Sequence, residues 1–229
     1  MLEKRKGQVT QRFVVYFLGL LIMTLGIVLL IKSNMGATPW DVLHVGLYNH
    51  LGFSIGSWSI IMGFLILAAS ALISKEIPHI GAFINMVACG IFIDFYMMLP
   101  FMITPDSFFG RFMMFLVGIL LNAYGMGLYI SAGLGAGPRD SLMIALTNKT
   151  GWKVRNVRAA IEVMALVIGW RLGGPANWGT IFYGAVIGPM AGFALPQMDK
   201  MTSFLLRNWN RKNKNEVVND SNKTKRGVS

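Results

Sequence analysis

The chain has 229 residues, of which 54% are apolar and only 14% charged, and its mean hydropathy is +0.55. Soluble domains carry about a quarter charged residues, so this composition excludes a soluble globular enzyme, a disordered chain and a disulfide scaffold. It points to one integral membrane domain. The net charge of +11 sits at the chain ends and between apolar runs. That is the distribution of a positive-inside membrane protein and not of a nucleic-acid binder.

Six apolar stretches follow in chain order, at residues 13–31, 55–73, 80–99, 112–130, 157–170 and 178–195. About 20 apolar residues cross the hydrocarbon. The fifth stretch is short and carries Glu162 at its middle, so it needs shielding by neighbours. The first follows Lys4, Arg5 and Lys6 but is long and lacks a small-residue cleavage site, which marks a retained helix and not a signal peptide. With the N-terminus in the cytoplasm, the inside segments hold 18 Lys and Arg and the outside segments 3. Six spans with both termini cytoplasmic satisfy this bias. The Asn/Lys-rich tail has no apolar period and is expected to be disordered, or to lie on anionic headgroups.

The two halves repeat at an offset of 99 residues. Arg12, Phe13, Gly19, Gly26, Gly36, Pro39, Asp41, Leu43 and Gly52 recur as Arg111, Phe112, Gly118, Gly125, Gly135, Pro138, Asp140, Leu142 and Gly151. Past the second span the offset becomes 98, aligning Gly81 and Gly90 with Gly179 and Gly188. Each half supplies three spans, and an odd number forces the second copy to enter from the opposite side. The expected fold is therefore all-α, with six transmembrane helices in two inverted repeats (12–104 and 111–197) within a membrane domain of residues 1–199. A basic cytoplasmic tail follows at 200–229.

The repeated segment runs from Asn34 to Leu43 and from Gly133 to Leu142. Gly36, Gly135 and Gly137 precede Pro39 and Pro138, and a proline is well placed at the first position of a helix. The aspartates fall in the first turn, where free N–H groups and the helix dipole favour negative charge. Short helices are expected at Pro39–Leu51 and Pro138–Thr150, closed by Gly52 and Gly151. At about 1.5 Å per residue they are too short to cross, but suit a re-entrant or interfacial helix. Two readings of Asp41 and Asp140 stand side by side. They are helix-start residues, Asp41 with Thr38 as a capping-box variant, or they also contact a ligand or cation, as intramembrane carboxylates commonly do. Arg139 either binds an anion at the helix start or marks the positive side.

The Gly-Pro-x-Asp motif, best matched by Gly133–Asp140, resembles that of the YczE/YyaS-type bacterial membrane proteins, related to the broader YitT group. The resemblance spans nearly all of residues 12–196. It implies a multi-pass protein of the bacterial plasma membrane and supplies no substrate.

Asp94 lies in the third span. It is either a proton-binding group or a carboxylate tied to a neighbouring helix. Glu162, one turn after Arg158, reads as an i,i+4 ion pair, and Asn85 and Asn122 as links between helices. Cys89, the one cysteine, permits no intrachain disulfide. No metal-ligand spacing, P-loop ending or nucleophile motif is present, so neither an enzyme nor a cofactor is expected. Two functional readings follow: a small permease whose halves rock about the Gly-Pro-x-Asp helix starts, with Asp41, Asp140, Arg139 and Asp94 as candidate binding residues; or a scaffold or accessory factor docking another complex through its tail. The lipid bilayer is the expected partner in both.

Overall fold

The computed structural model describes residues 9–135 and 137–226, with side chains through 209. Lys4, Arg5, Lys6 and Ala136 lie outside the described residues. Eight helices follow one another: α1 (Val9–Ser33), α2 (Pro39–Leu51), α3 (Ile55–Ser74), α4 (Ile80–Met98), α5 (Phe108–Ser131), α6 (Pro138–Thr150), α7 (Val154–Arg171) and α8 (Trp178–Arg226). Among the described residues there is no strand.

Local chemistry sets the ends of the two short helices. Thr38 is extended, and its Oγ1 accepts the Asp41 N–H at 3.2 Å, satisfying one of the donors left free at the start of α2. Gly137 starts α6 without a side-chain cap. Gly52 (φ 73°) and Gly151 (φ 71°) close the helices, donating their N–H groups to Tyr48 and Thr147 carbonyls. Both bounds coincide with those the sequence predicts. Ahead of each helix, Gly36 (φ 147°) and Gly135 (φ 132°) take a backbone conformation that side chains rarely adopt.

The centre of the molecule is the α1–α5 contact. A β-carbon on Gly19 would collide with Tyr129, and one on Gly26 with Asn122 and Gly118. One on Gly125 would collide with Met23. Higher numbers on α1 meet lower numbers on α5, so these helices run antiparallel. Small residues let the backbones close up and gain dispersion contacts, the main source of cohesion where lipid removes the hydrophobic drive.

Contacts recur at the sequence offset. Tyr16 and its counterpart Phe115 are both fully buried, Tyr16 donating to the Gly81 carbonyl at 3.0 Å and Phe115 lying against the matching Gly179. Gly81 abuts the Leu134 carbonyl as Gly179 abuts that of Met35. Helix α4 packs on α1 as α8 packs on α5, and α3 packs on α6 as α7 packs on α2. A core of Trp40, Leu43, Ile66, Leu142, Val157, Ile161 and Ala165 joins these last four helices. One pairing breaks the pattern. Helix α3 lies along α4, with Gly90 against Ile60 and Gly56, whereas α7 has no comparable packing on α8 and the matching Gly188 faces open space.

Five helices are long and apolar enough to cross a membrane: α1, α3, α4, α5 and the Trp178–Trp209 part of α8. The fifth expected span forms as α7 but does not meet that standard. Its 18 residues include four charged ones, Arg155, Arg158, Glu162 and Arg171, while Val163, Val167 and Trp170 face outward. A second difference concerns the tail. Residues 200–226, expected to be disordered, continue α8 as helix. No Gly or Pro interrupts the sequence between Gln197 and Arg226, so nothing there breaks the backbone ladder.

Candidate functional site: a central cavity where the two motif copies meet

All eight helices contribute to one cavity of about 160 Å³. The starts of α2 and α6 both open onto it, placing Thr38, Pro39, Trp40 and Asp41 beside Gly137, Pro138, Arg139 and Asp140. Segments 99 residues apart in sequence thus become one site. Trp40 and Arg139, which hold the same position in the two copies, touch: the guanidinium carbon lies 5.1 Å from the centre of the indole ring. Such a cation–π contact gains strength when water is excluded.

Asp41 is fully buried. Its Oδ2 accepts a hydrogen bond from Thr38 Oγ1, and its Oδ1 lies 3.4 Å from His44 Nδ1 without hydrogen-bond geometry. The i,i+3 spacing within α2 brings the imidazole there. Oδ1 of Asp41, both nitrogens of His44 and Nδ2 of Asn85 are buried without hydrogen-bond partners. All three residues line the cavity. Leaving such atoms unpaired costs about 1–3 kcal/mol each, so their clustering here singles out the cavity. The copies differ at these positions, since Met143 stands where His44 stands and Gly137 where Thr38 stands.

Arg139 has no carboxylate within 4 Å, and no ion pair joins Asp140 to a cation among the described residues. At the mouth, Arg158 Nε donates to Glu162 at 2.9 Å. The Arg158 side chain is 51% exposed, so the cavity opens on this side. Their counterparts on α3, Ser59 and Gly63, line the opposite wall, where Met86 covers Gly63. Asn122 accepts from Tyr183 at 2.9 Å, linking α5 to α8 across the cavity. Among the described residues no three His, Cys, Asp or Glu side chains are grouped to hold a metal ion.

Three of the four sequence candidates, Asp41, Arg139 and Asp140, therefore come together. The fourth does not. Asp94 lies away from the cavity, its carboxylate accepting from Gly56 N at 2.8 Å and from Ser54 Oγ, and so anchors the start of α3 to α4. Sequence reasoning did not place Trp40, Asn85, Tyr183, Arg158 or Glu162 in the site. The one available signal was positional: Asn85 and Tyr183 are repeat counterparts at offset 98, both polar in apolar spans.

The model of a family of unknown function (DUF6198) matches residues 10–196. The chain is 42% identical over 201 residues to the uncharacterized membrane protein YczE of Bacillus subtilis, covering 87% of this chain and 92% of that protein. It is 33% identical over 177 residues to an uncharacterized protein of Haemophilus influenzae, covering 76% and 78%. It is 26% identical over 198 residues to the uncharacterized protein YyaS of Bacillus subtilis, covering 86% and 98%. No solved structure matches it. The matched region contains both motif copies and reaches into every helix, and the chain is a multi-pass membrane protein that belongs to this family of unknown function.

Proposed function

We propose that the protein is a small secondary carrier of the bacterial plasma membrane, built of two inverted three-span repeats with both termini in the cytoplasm. The observation that carries this reading is the meeting of both Pro-x-Asp segments, Thr38–Asp41 and Gly137–Asp140, at one cavity. Carriers of this architecture bind substrate at the midplane, between broken helices of their repeats. Antiparallel α1 and α5 support opposite orientation of the copies. On this reading α2 and α6 are re-entrant. The chain returns to the midplane ahead of each short helix, and the short helix leads back to the surface it came from. Helix α7 is then a sixth span whose ionic face turns to the cavity mouth, away from lipid.

The asymmetry between α3–α4 and α7–α8 supplies the gate. One side of the cavity is closed by packed helices, and the other opens beside Arg158 and Glu162. Exchange of these two packings between the repeats would turn the cavity to the opposite face. The basic continuation of α8 to Arg226 favours a second role, in docking lipid or a partner. A pull-down partner lost on deleting residues 200–229 would support that role.

The test is solute-driven proton flux in liposomes holding the purified protein and an internal pH dye. At least one small solute is expected to change internal pH, and Asp41→Asn with Asp140→Asn to abolish the response. No response across a broad solute panel, or a full response in the double variant, contradicts the carrier.

A further inference from the structure

We infer that the central cavity binds a small zwitterion, a molecule with one carboxylate and one ammonium on an apolar body, of the chemical class of the apolar amino acids. The inference deepens the carrier reading and rests on it for the route by which the ligand reaches the cavity.

Size sets the first bound. A cavity of about 160 Å³ is close to the roughly 150 Å³ apolar cavity that holds a benzene ring, so the whole ligand is small: a short branched chain, or one ring whose charged groups reach toward the open mouth. Met86, Ile93, Met126 and Ile187 supply apolar wall for it.

Charge sets the second. Arg158 and Glu162 neutralise each other at the mouth. What remains, counting the His44 imidazole beside Asp41 as neutral, is Arg139 against Asp41 and Asp140, together with two helix starts, each worth about half a positive charge. These terms nearly cancel. A lone cation or anion would leave a buried unit charge without compensation, which is costly. A zwitterion adds no net charge.

Unmet hydrogen bonds set the third. Arg139 has the Trp40 ring as partner and no acceptor among the described residues, and Asn85 Nδ2 is buried without one. The Asn85 amide and the Asp140 carboxylate both lie against Gly137, beside Arg139 at the start of α6, so donors and acceptors adjoin there as the neighbouring charged groups of an α-amino acid do. Opposite in kind, Asp41 Oδ1 is buried with only the His44 imidazole 3.4 Å away and no hydrogen bond to it, and Asp140 has no cation within 4 Å. A carboxylate satisfies the first group, as charge-assisted bonds to a guanidinium. An ammonium satisfies the second. A ligand carrying only one of these groups leaves the other set unpaired.

The experiment uses the full chain in nanodiscs and isothermal titration with two matched sets. One is L-leucine, 4-methylpentanoate and 3-methylbutylamine; the other is L-phenylalanine, 3-phenylpropanoate and phenethylamine. Each set keeps the apolar body and removes one charge. At least one amino acid is expected to bind ten-fold or more tightly than both of its one-charge analogues. Arg139→Gln is expected to erase its advantage over the amine, and Asp140→Asn its advantage over the acid. Asp94→Asn, outside the site, retains both. An amine or acid that binds as tightly as its amino acid, or no binding by any of the six, overturns the inference. Binding of an amino acid without its exchange in liposomes would overturn the carrier and leave the zwitterion site standing. Exchange of a one-charge analogue alone would do the reverse.

Discussion

Trp40 and Arg139 hold the same position in two copies of one motif, and the guanidinium of one lies over the indole of the other, 5.1 Å from its centre. Equivalent positions meet only where an axis relating the copies passes. This contact therefore locates the centre of the proposed carrier, and it joins the two half-sites through unlike residues. Replacing Trp40 by Leu removes the contact while leaving bulk. The expected cost is about 1–2 kcal/mol for a desolvated cation–π pair. A double-mutant cycle with Arg139→Gln, read by thermal unfolding in detergent, is expected to show coupling of that size. Additive effects would mean the two side chains are neighbours without interaction.

Gly36 and Gly135 make a second pair of equivalents. At φ 147° and 132° they occupy backbone space costly for other residues, and a β-carbon on Gly36 would also collide with the Thr180 backbone. Gly36→Ala is expected to destabilise by about 2–4 kcal/mol, through strain of about 1–3 kcal/mol plus the collision. Gly184→Ala, on α8 with open space around it, is expected to leave stability unchanged or slightly raised, since alanine is the better helix former. Thermal midpoints of the two variants in the same detergent check the contrast.

Asp94 is expected to act on stability and not on binding. Its carboxylate joins α4 to the first turn of α3, and Asp94→Asn weakens two bonds to a charged acceptor worth about 1.5–3 kcal/mol each. A lowered thermal midpoint with unaltered ligand affinity is the expected outcome. A lost affinity at full stability would return Asp94 to the site.

The gate makes a prediction about cross-linking. Gly63 lies on Met86 across α3 and α4, whereas the counterpart pair Glu162 and Gly184 stands between helices that lack this packing. In a Cys89→Ser background, cysteines at 63 and 86 are expected to cross-link without substrate. Cysteines at 162 and 184 are expected to do so only during turnover. Equal cross-linking of both pairs under all conditions would contradict the exchange of packings.

Much of this was legible in the chain. Both short helices were readable to the residue because their boundaries depend on local chemistry: Pro at the first position, Thr38 or Gly137 before it, and Gly52 or Gly151 after. The spacing of Arg158 and Glu162 likewise gave their contact directly. Where the two copies meet was not legible. A sequence offset says which positions are equivalent, not where the axis between them passes. Asp94 kept two readings open for a related reason. An intramembrane carboxylate looks the same in sequence whether it faces a cavity or the end of another helix, and Ser54, its partner, is 40 residues away. The charges of α7 marked a poor lipid-facing helix but gave no sign that Arg158 and Glu162 sit at a cavity mouth.

The most direct test of the account is the sidedness of two equivalent positions. Phe53 and Trp152 are exposed, each one residue past the glycine that closes its short helix. In a Cys89→Ser background, single cysteines at these sites are probed with a membrane-impermeant maleimide. The account predicts that Phe53→Cys reacts in intact cells and Trp152→Cys only in inside-out vesicles. Reaction of both from the same side would contradict the inverted repeat, and with it the carrier.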